Sequence, residues 1–332
     1  MNGMHVPCIA LAAAAWMAAA QAYAQRAPGA ASDYPTRPVR IIVPQAAGGG
    51  VDVVARQLAQ KLSETWGQQV LVDNRPGANG IIGIEGIAKS KPDGYTLGAA
   101  FTSVLTINPH VYKTLPYDTF RDFAPITQTV TNTIVLVVNS YLPARSVKEL
   151  VALAKSRPGD VVYGSFGIGN MTHLAGELLR LESGVKMTHV PYKGETPAVT
   201  DLLGGQVVMI FATSAGVAPH IKSGRLRLLA TGGDKRALAY PDTPTMIEAG
   251  FPNVRVTGWG ALIAPAGTPQ DAIDKIQRES ARHLMSAELR ERLSAAGAEP
   301  APNTPSELAA FLKSESEKWA RVVRQAGLQH SQ

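Results

Sequence analysis

Cysteine is nearly missing from this chain of 332 residues: only Cys8 is present. It lies in the amino-terminal segment, so the remainder has no disulfides, no thiol nucleophile and no cysteine-bound zinc. Clustered charge is missing too. Lys and Arg total 32 against 26 Asp and Glu, a net charge of +6, but the cations are scattered. Nucleic-acid binding asks for a concentrated basic stripe, so no nucleic-acid partner is expected, and a mildly basic surface instead steers small anions toward a cleft. His110, His173, His189, His220 and His283 show no metal-ligand spacing. No Gly-Lys-Ser/Thr follows Gly50, and Gly167-x-Gly169 lacks the third glycine of a dinucleotide fingerprint. No cofactor or metal is expected.

Long hydrophobic runs are also absent, apart from the alanine-rich stretch Ile9 to Ala20, too short to span a bilayer. Ala22-Tyr23-Ala24 follows as a small-x-small cleavage site. The pattern predicts a signal peptide over residues 1–24, cut after Ala24, and a product exported to the periplasm. The segment before Pro7 has no Lys or Arg, only His5. Cys8 precedes the apolar run and does not read as a lipid-attachment site. Gln25 to Ser32 reads as a linker.

What is present is glycine in the right places. Arg40 to Arg56 reads R-I-I-V-P-Q-A-A-G-G-G-V-D-V-V-A-R. Ile41, Ile42 and Val43 predict a strand buried on both faces, ended by Pro44. Val53, Val54, Leu58 and Leu62 fall at helical spacing, so a helix over 52–66 follows the glycines. Strand, glycine loop and helix start make an anion site, because unpaired N–H groups and the positive end of the helix dipole point at the same place. The plain alternative is a βα turn whose glycines serve only geometry.

The same grammar continues. A strand over Gln69–Val72 leads to a second glycine loop, Asn74 to Gly80, a helix through Ile82, Ile84 and Ile87, and a strand over Tyr95–Phe101 ending in Thr102-Ser103. After a strong strand, Thr133 to Asn139, the pattern restarts: helix 146–156, strand 161–164, the loop Gly164 to Asn170, helix 171–183, strand 188–190, helix 195–203, strand 207–211, helix 215–223 and strand 226–230. Alternating strands and helices predict a parallel sheet covered on both faces, with ligands beyond the strands' carboxyl ends. Arg255 to Ala264 is strand-like, and the last helices, about 270–285, 287–296 and 305–326, have no strand of their own and are expected to pack back on the first unit. The division expected is lobe 1 over 33–130 plus 256–332 and lobe 2 over 131–255. Two α/β lobes, two crossings and a glycine loop on each describe a hinged binding protein.

The motifs Y-P-T-R-P-V-R-I-I-V-P, G-G-G-x-D, V-D-N-R-P-G-A-N-G, K-P-D-G-Y-T-L and I-N-P-H-V-Y occur in order, then L-P-Y-D, D-F-A-P-I-T, H-V-P-Y-K-G, D-L-L-G-G-Q-V and A-P-A-G-T-P. From about Tyr34 to Gly327 the chain resembles the Bug (TctC-like) extracytoplasmic solute receptors of tripartite tricarboxylate transport systems. The resemblance implies an α/β, two-lobe type II periplasmic-binding-protein fold with a hinged inter-lobe cleft, no catalysis, and delivery of a small organic carboxylate to a membrane transporter or sensor. The receptor is expected to act as a monomer. Carried over position by position, it implies a site of Gln45, Gly48, Gly49, Gly50, Val51, Asp52, Thr102 and Ser103 on the first lobe. The second lobe would supply Ser165, Phe166, Gly169, Asn170, His173, Tyr192, Thr213 and Ser214. Where the family pattern has Thr or Ser before the aspartate, this chain has Val51, which points to a ligand with an apolar or aromatic portion.

Several of these residues have plainer readings. Asp52 suits a helix cap and loop anchor better than an anion contact. His173 can donate to an anion or be a satisfied core histidine. Phe166 can stack on an aromatic ligand or pack as core. The competing function is an exported Ser-type hydrolase built on Ser165, His173 and Asp201, although Gly164 to Asn170 is not a Gly-x-Ser-x-Gly elbow.

Overall fold

The computed structural model describes residues 34–295 and 297–332; the signal peptide, its cut after Ala24 and the linker that follows lie outside the described residues. Val39–Val43 (β1), Gly50–Trp66 (α1), Val70–Asn74 (β2), Ile81–Ala88 (α2) and Thr96–Phe101 (β3) open the fold. β1 pairs in parallel with β2 on one side and β3 on the other. A π-helical turn, Ser103–Ile107, and the short helix Asn108–Val111 (α3) lead into Phe123–Asn139 (β4). Val147–Ser156 (α4), Val162–Ser165 (β5), Met171–Ser183 (α5), Thr188–Pro191 (β6), Glu195–Gly204 (α6), Met209–Thr213 (β7), Ser214–Lys222 (α7) and Leu226–Thr231 (β8) follow. The chain closes with Thr257–Pro265 (β9), Gln270–Leu284 (α8), Ala287–Ala295 (α9), Ala298–Pro300 (β10) and Pro305–Gln325 (α10).

The strands form one mixed sheet in the order β2-β1-β3-β9-β4-β7-β5-β6, with β10 and β8 also pairing with β4. The expectation of a wholly parallel sheet is corrected here. β9 runs antiparallel to β3 and β4, and β4 runs antiparallel to β7 and β8. Helical crossovers enforce parallel pairing only within each βα run, and the strands that pass between runs are free to reverse.

β4 is the shared member. Phe123 to Thr133 pairs with β9, whereas Ile134 to Val138 pairs with β7. It begins ten residues before the expected start at Thr133, because Pro125 and two register shifts break the alternation that marks a strand. Thr127 and Gln128 are buried there, and Asn303 satisfies them: Thr127 Oγ1 donates to the Asn303 carbonyl at 2.8 Å and Gln128 N–H to its Oδ1 at 2.7 Å. In the second half of β4 both faces are apolar. Ile134, Leu136 and Val138 join one core with Met209, Phe211, Tyr163 and Leu174, while Val135 and Val137 join another with Ile210, Ala212 and Leu202. That is the period-two signature of a strand covered on both sides.

The carboxy-terminal helix returns to the first run, as its lack of a long strand suggested, but it brings one short strand, β10, onto β4. A capping box starts α10: Thr304 and Glu307 satisfy each other's backbone N–H groups, with Pro305 at the first position. The buried Glu315 carboxylate then accepts from two indoles, Trp259 of β9 at 3.0 Å and Trp319 of α10 at 3.1 Å, and pairs with Lys318. Its end also enters the core beneath α5, through Trp319, Val322 and Val323.

The crossing segments lie side by side, Thr133 opposite Thr257. Gly232 seals them, donating to the Ile134 carbonyl at 2.8 Å and accepting from Val256 N–H at 2.9 Å. A Cβ at Gly232 would stand 2.3 Å from the Val256 carbonyl oxygen. Gly232→Ala is therefore expected to lower unfolding free energy by about 1–3 kcal/mol, since backbone must shift. Urea denaturation measures it, and an unchanged midpoint contradicts the close packing.

Candidate functional site

The loop after β1 supplies open donors. Gly48 sits at φ +84°, a left-handed turn that glycine adopts freely. Gly49 is the residue before α1 and offers no side-chain cap. Ala46, Ala47, Gly48 and Gly50 are exposed. Gly48 N–H is taken by Asp52 and Gly49 N–H by the Ala46 carbonyl, but among the described residues nothing accepts from the N–H groups of Gly50 or Val51. These first-turn amides, at the positive end of a 17-residue helix, are open donors at this edge.

Asp52 would spoil such a site if it faced outward. It is the third residue of α1 rather than its cap, 2% exposed, and turned inward. One carboxylate oxygen accepts from Gly48 N–H at 2.8 Å and Arg56 Nε at 3.0 Å, and the other from Asn74 Nδ2 at 2.8 Å. Asn74 Nδ2 also reaches the Gln45 carbonyl, and Arg56 closes the ring onto Asn74 Oδ1 at 2.7 Å. Burial pushes the Asp52 carboxyl up, but these hydrogen bonds and the Arg56 charge together outweigh it and hold it below the usual carboxylate range. The loop is thus shaped by an anion whose charge is already answered. Val51 borders a small apolar crevice of about 10 Å3 with Ala99 and Ala100.

Thr102 and Ser103 are both buried at the end of β3. Thr102 Oγ1 accepts from Trp259 N–H at 3.1 Å, and Ser103 Oγ accepts from Met171 N–H at 3.4 Å. That second bond joins the end of β3 to the start of α5. Beside it, Asn170 Nδ2 donates across to Asn79 Oδ1 at 3.5 Å, Asn79 Nδ2 donates to Asn108 Oδ1 at 2.8 Å, and Asn108 Nδ2 donates to the Asn79 main-chain carbonyl at 3.2 Å. A Cβ on Gly80 would meet Val104 and Pro44, so the three first-run strand ends converge here. The carboxyl-end edge of β1 and β3 therefore faces that of β5. Asn79, with φ +51°, was not singled out by the sequence reading, although its glycine loop was.

The loop after β5 is different, because four of its amides are spent on itself and on the first turn of α5. Phe166 N–H donates to Thr172 Oγ1, Gly167 N–H to Ser165 Oγ, Gly169 N–H to His173 Nδ1 and Asn170 N–H to the Gly167 carbonyl. Asn170 caps α5 by accepting from Thr172 N–H at 3.1 Å. Phe166 packs against the Val135 core, and Tyr192 donates its hydroxyl to Asp201 at 2.8 Å. Thr213 caps α7 and bonds Glu195, a residue the sequence reading passed over. Ser214 reaches the Gly297 carbonyl at 3.5 Å.

Ser165 is fully buried, and its Oγ lies 2.7 Å from His189 Nε2; among the described residues it bonds neither His173 nor Asp201. The serine, histidine and aspartate of the hydrolase reading are thus not joined in a hydrogen-bonded chain. His173, 4% exposed, stacks on His189 with ring centroids 3.8 Å apart, and Tyr163 stacks on His189 at 4.8 Å. Tyr163 in turn donates to Glu177, which pairs with Arg180. His173 Nδ1 is occupied by Gly169 N–H at 3.1 Å. Among the described residues no group of three His, Cys, Asp or Glu could hold a metal, and no helix is long and apolar enough to cross a membrane. A cavity of about 300 Å3 bordered by His110, Tyr112, Lys113, Phe120 and His330 is lined by no residue of the expected site.

The stacked pair has a pH consequence. Burial, then the neighbouring His173, push His189 down to about 4, and burial lowers His173 as well. Unfolded histidines take up protons near the ordinary 6.5, so the native state is favoured above that pH and loses the advantage as pH falls toward 4. The slope is about 1.4 kcal/mol per pH unit per histidine. Urea midpoints at pH 7 and pH 5 are expected to differ less in His189→Gln than in the parent. Equal differences contradict the buried neutral pair.

The family described as tripartite tricarboxylate transporter family receptor matches residues 54–328. BugT of Bordetella pertussis is 39% identical over 302 residues, covering 91% of this chain and 93% of that protein. The structure of R. palustris Rpa4515 with adipate superposes with a TM-score of 0.85 at 34% identity, covering 89% of this chain and 98% of that one. MatC from Rhodopseudomonas palustris with bound malate gives a TM-score of 0.79 at 28% identity, covering 87% and 100%. These relatives are solute receptors, not enzymes, and their fold is the two-lobe α/β architecture read above. The chain belongs to the tripartite tricarboxylate transporter family receptors, the TctC/Bug solute-binding proteins.

Proposed function

We propose that this receptor captures a small organic carboxylate between its two lobes and hands it to a membrane transporter of the tripartite tricarboxylate type. The observation that carries the reading is the pair of open amides of Gly50 and Val51 at the head of α1, with the nearby Asp52 turned in and neutralised. A carboxylate placed there gains charge-assisted hydrogen bonds, about 1.5–3 kcal/mol each, without a buried cation. Adipate and malate in the relatives' structures are the chemistry such a loop suits.

The lobes we assign are 33–130 plus 256–332 and 131–255, supported by the change of β4's partners at Thr133 and Ile134. Gln45 and Gly48 to Val51 form the gripping edge, with Asp52 as its internal anchor. Thr102, Ser103 and Asn170 hold the facing edges together, and Thr213 and Ser214 supply hydroxyls. Gly169 and His173 shape the second loop, Ser165 and Phe166 support it from the core, and Tyr192 braces it through Asp201. Residues 1–24 act as a signal peptide cut after Ala24, the mature receptor works in the periplasm as a monomer, and Val51 favours a ligand with an apolar portion.

A thermal-shift screen of the chain from Gln25 onward tests the reading. A mono- or dicarboxylate at about a hundred times its Kd is expected to add roughly 2.7 kcal/mol to stability. A Cβ on Gly50 meets no atom within 4 Å, so Gly50→Val is expected to stay within about 0.5 kcal/mol of the parent without ligand while losing the shift. A full ligand shift in Gly50→Val contradicts the proposed grip.

A further inference from the structure

Glu195 is the one residue of this edge whose chemistry runs against anion capture. It opens α6, on the same carboxyl-end edge as Ser165 and Thr213, since β6 and β7 both run parallel to β5. Its Oε1 accepts from Thr213 N–H at 3.1 Å and from Thr213 Oγ1 at 2.6 Å. Thr213 Oγ1 itself accepts from Gly216 N–H at 3.2 Å, so the Glu195 carboxylate sits over the start of α7. A Cβ on Gly216 would meet Glu195 Oε1 at 2.2 Å, so glycine there makes room for it. No Lys, Arg or His forms an ion pair with Glu195 among the described residues, in contrast to Asp52, Glu177 and Glu315. The chain has therefore placed its own carboxylate where the second lobe could have received a ligand's.

We propose that Glu195 sets ligand class: the site takes a monocarboxylate whose far end carries an N–H or O–H donor, an amide, ammonium or hydroxyl, and turns away dicarboxylates. This rests on the reading that the facing edges are the ligand site. The ligand carboxylate goes to the open amides of Gly50 and Val51, and the far end meets Glu195. A donor there satisfies the second oxygen of Glu195, which has no protein partner among the hydrogen bonds of the described residues. A second carboxylate meets like charge at a half-buried position, the kind of repulsive element that specificity requires. Burial holds the Glu195 carboxyl above its ordinary value, with the Thr213 bonds opposing it, so affinities are to be compared at pH 8, since raising the pH shifts Glu195 toward its charged form.

The test is calorimetric titration of the chain from Gln25 onward, parent and Glu195→Gln, with matched sets: succinate, succinamate and 4-aminobutyrate, then adipate, adipamate and 6-aminohexanoate. Gln keeps an oxygen for Thr213 and removes the charge. The parent is expected to bind the amide or amino acid at least about tenfold tighter than its dicarboxylate, and Glu195→Gln to shrink or invert that ratio by about tenfold or more. Binding with the same ratio in both proteins overturns the role of Glu195 and leaves the carboxylate site standing. Failure of every acid to bind either protein overturns the site itself, and the proposal with it.

Discussion

A strand whose pairing partners change midway holds this molecule together. Every N–H and C=O along β4 must find a partner, and no single βα run provides them for its whole length. From Phe123 to Thr133 they come from β9, and beyond Ile134 from β7 and β8. The apolar alternation Ile134, Leu136, Val138 against Val135, Val137 nails the second half between two cores. The polar, bulged first half is satisfied by Asn303 instead. The strand therefore belongs to both lobes. Gly232 and the adjoining Val256 make the second crossing lie against it, with Thr133 opposite Thr257 where the partners change.

In the proposed site the two facing edges would divide the labour of binding unequally. After β1, Asp52, Asn74 and Arg56 form a closed ring that fixes the glycine loop and leaves the first-turn amides of α1 unspent. After β5, the amides of Phe166, Gly167, Gly169 and Asn170 are consumed within the loop. The stacked pair His173 and His189, backed by Tyr163 and Glu177, stiffens that edge rather than offering it charge. Specificity then falls to groups at the margins, such as Glu195 over the start of α7.

Much of this was legible in the sequence, for definable reasons. Ile41, Ile42 and Val43, the glycines before α1 and the helical spacing of Leu58 and Leu62 are local signals, and the strand, loop and helix they mark are where they were expected. The reading failed where structure is set by partners distant in sequence. Phe123 to Asn132 is given no strand from the sequence because Pro125, Gln128 and the threonines hide one whose polar groups are met by Asn303. The reversal of β9 leaves no local mark. His173 and His189 lie sixteen residues apart, and nothing in their spacing announces a stack. Asn79 and Glu195 were readable in principle, one in a glycine loop and the other just after Gly194, but each becomes meaningful only beside Asn170 or Thr213.

The most direct measurement is a crystal structure grown with the carboxylate that gives the largest thermal shift. The account predicts a carboxylate oxygen within about 3 Å of Gly50 or Val51 N–H, with the far end of the ligand toward Thr213 and Glu195. A ligand seated instead in the cavity beside Tyr112, Lys113 and His330, with the α1 amides bare, would contradict it.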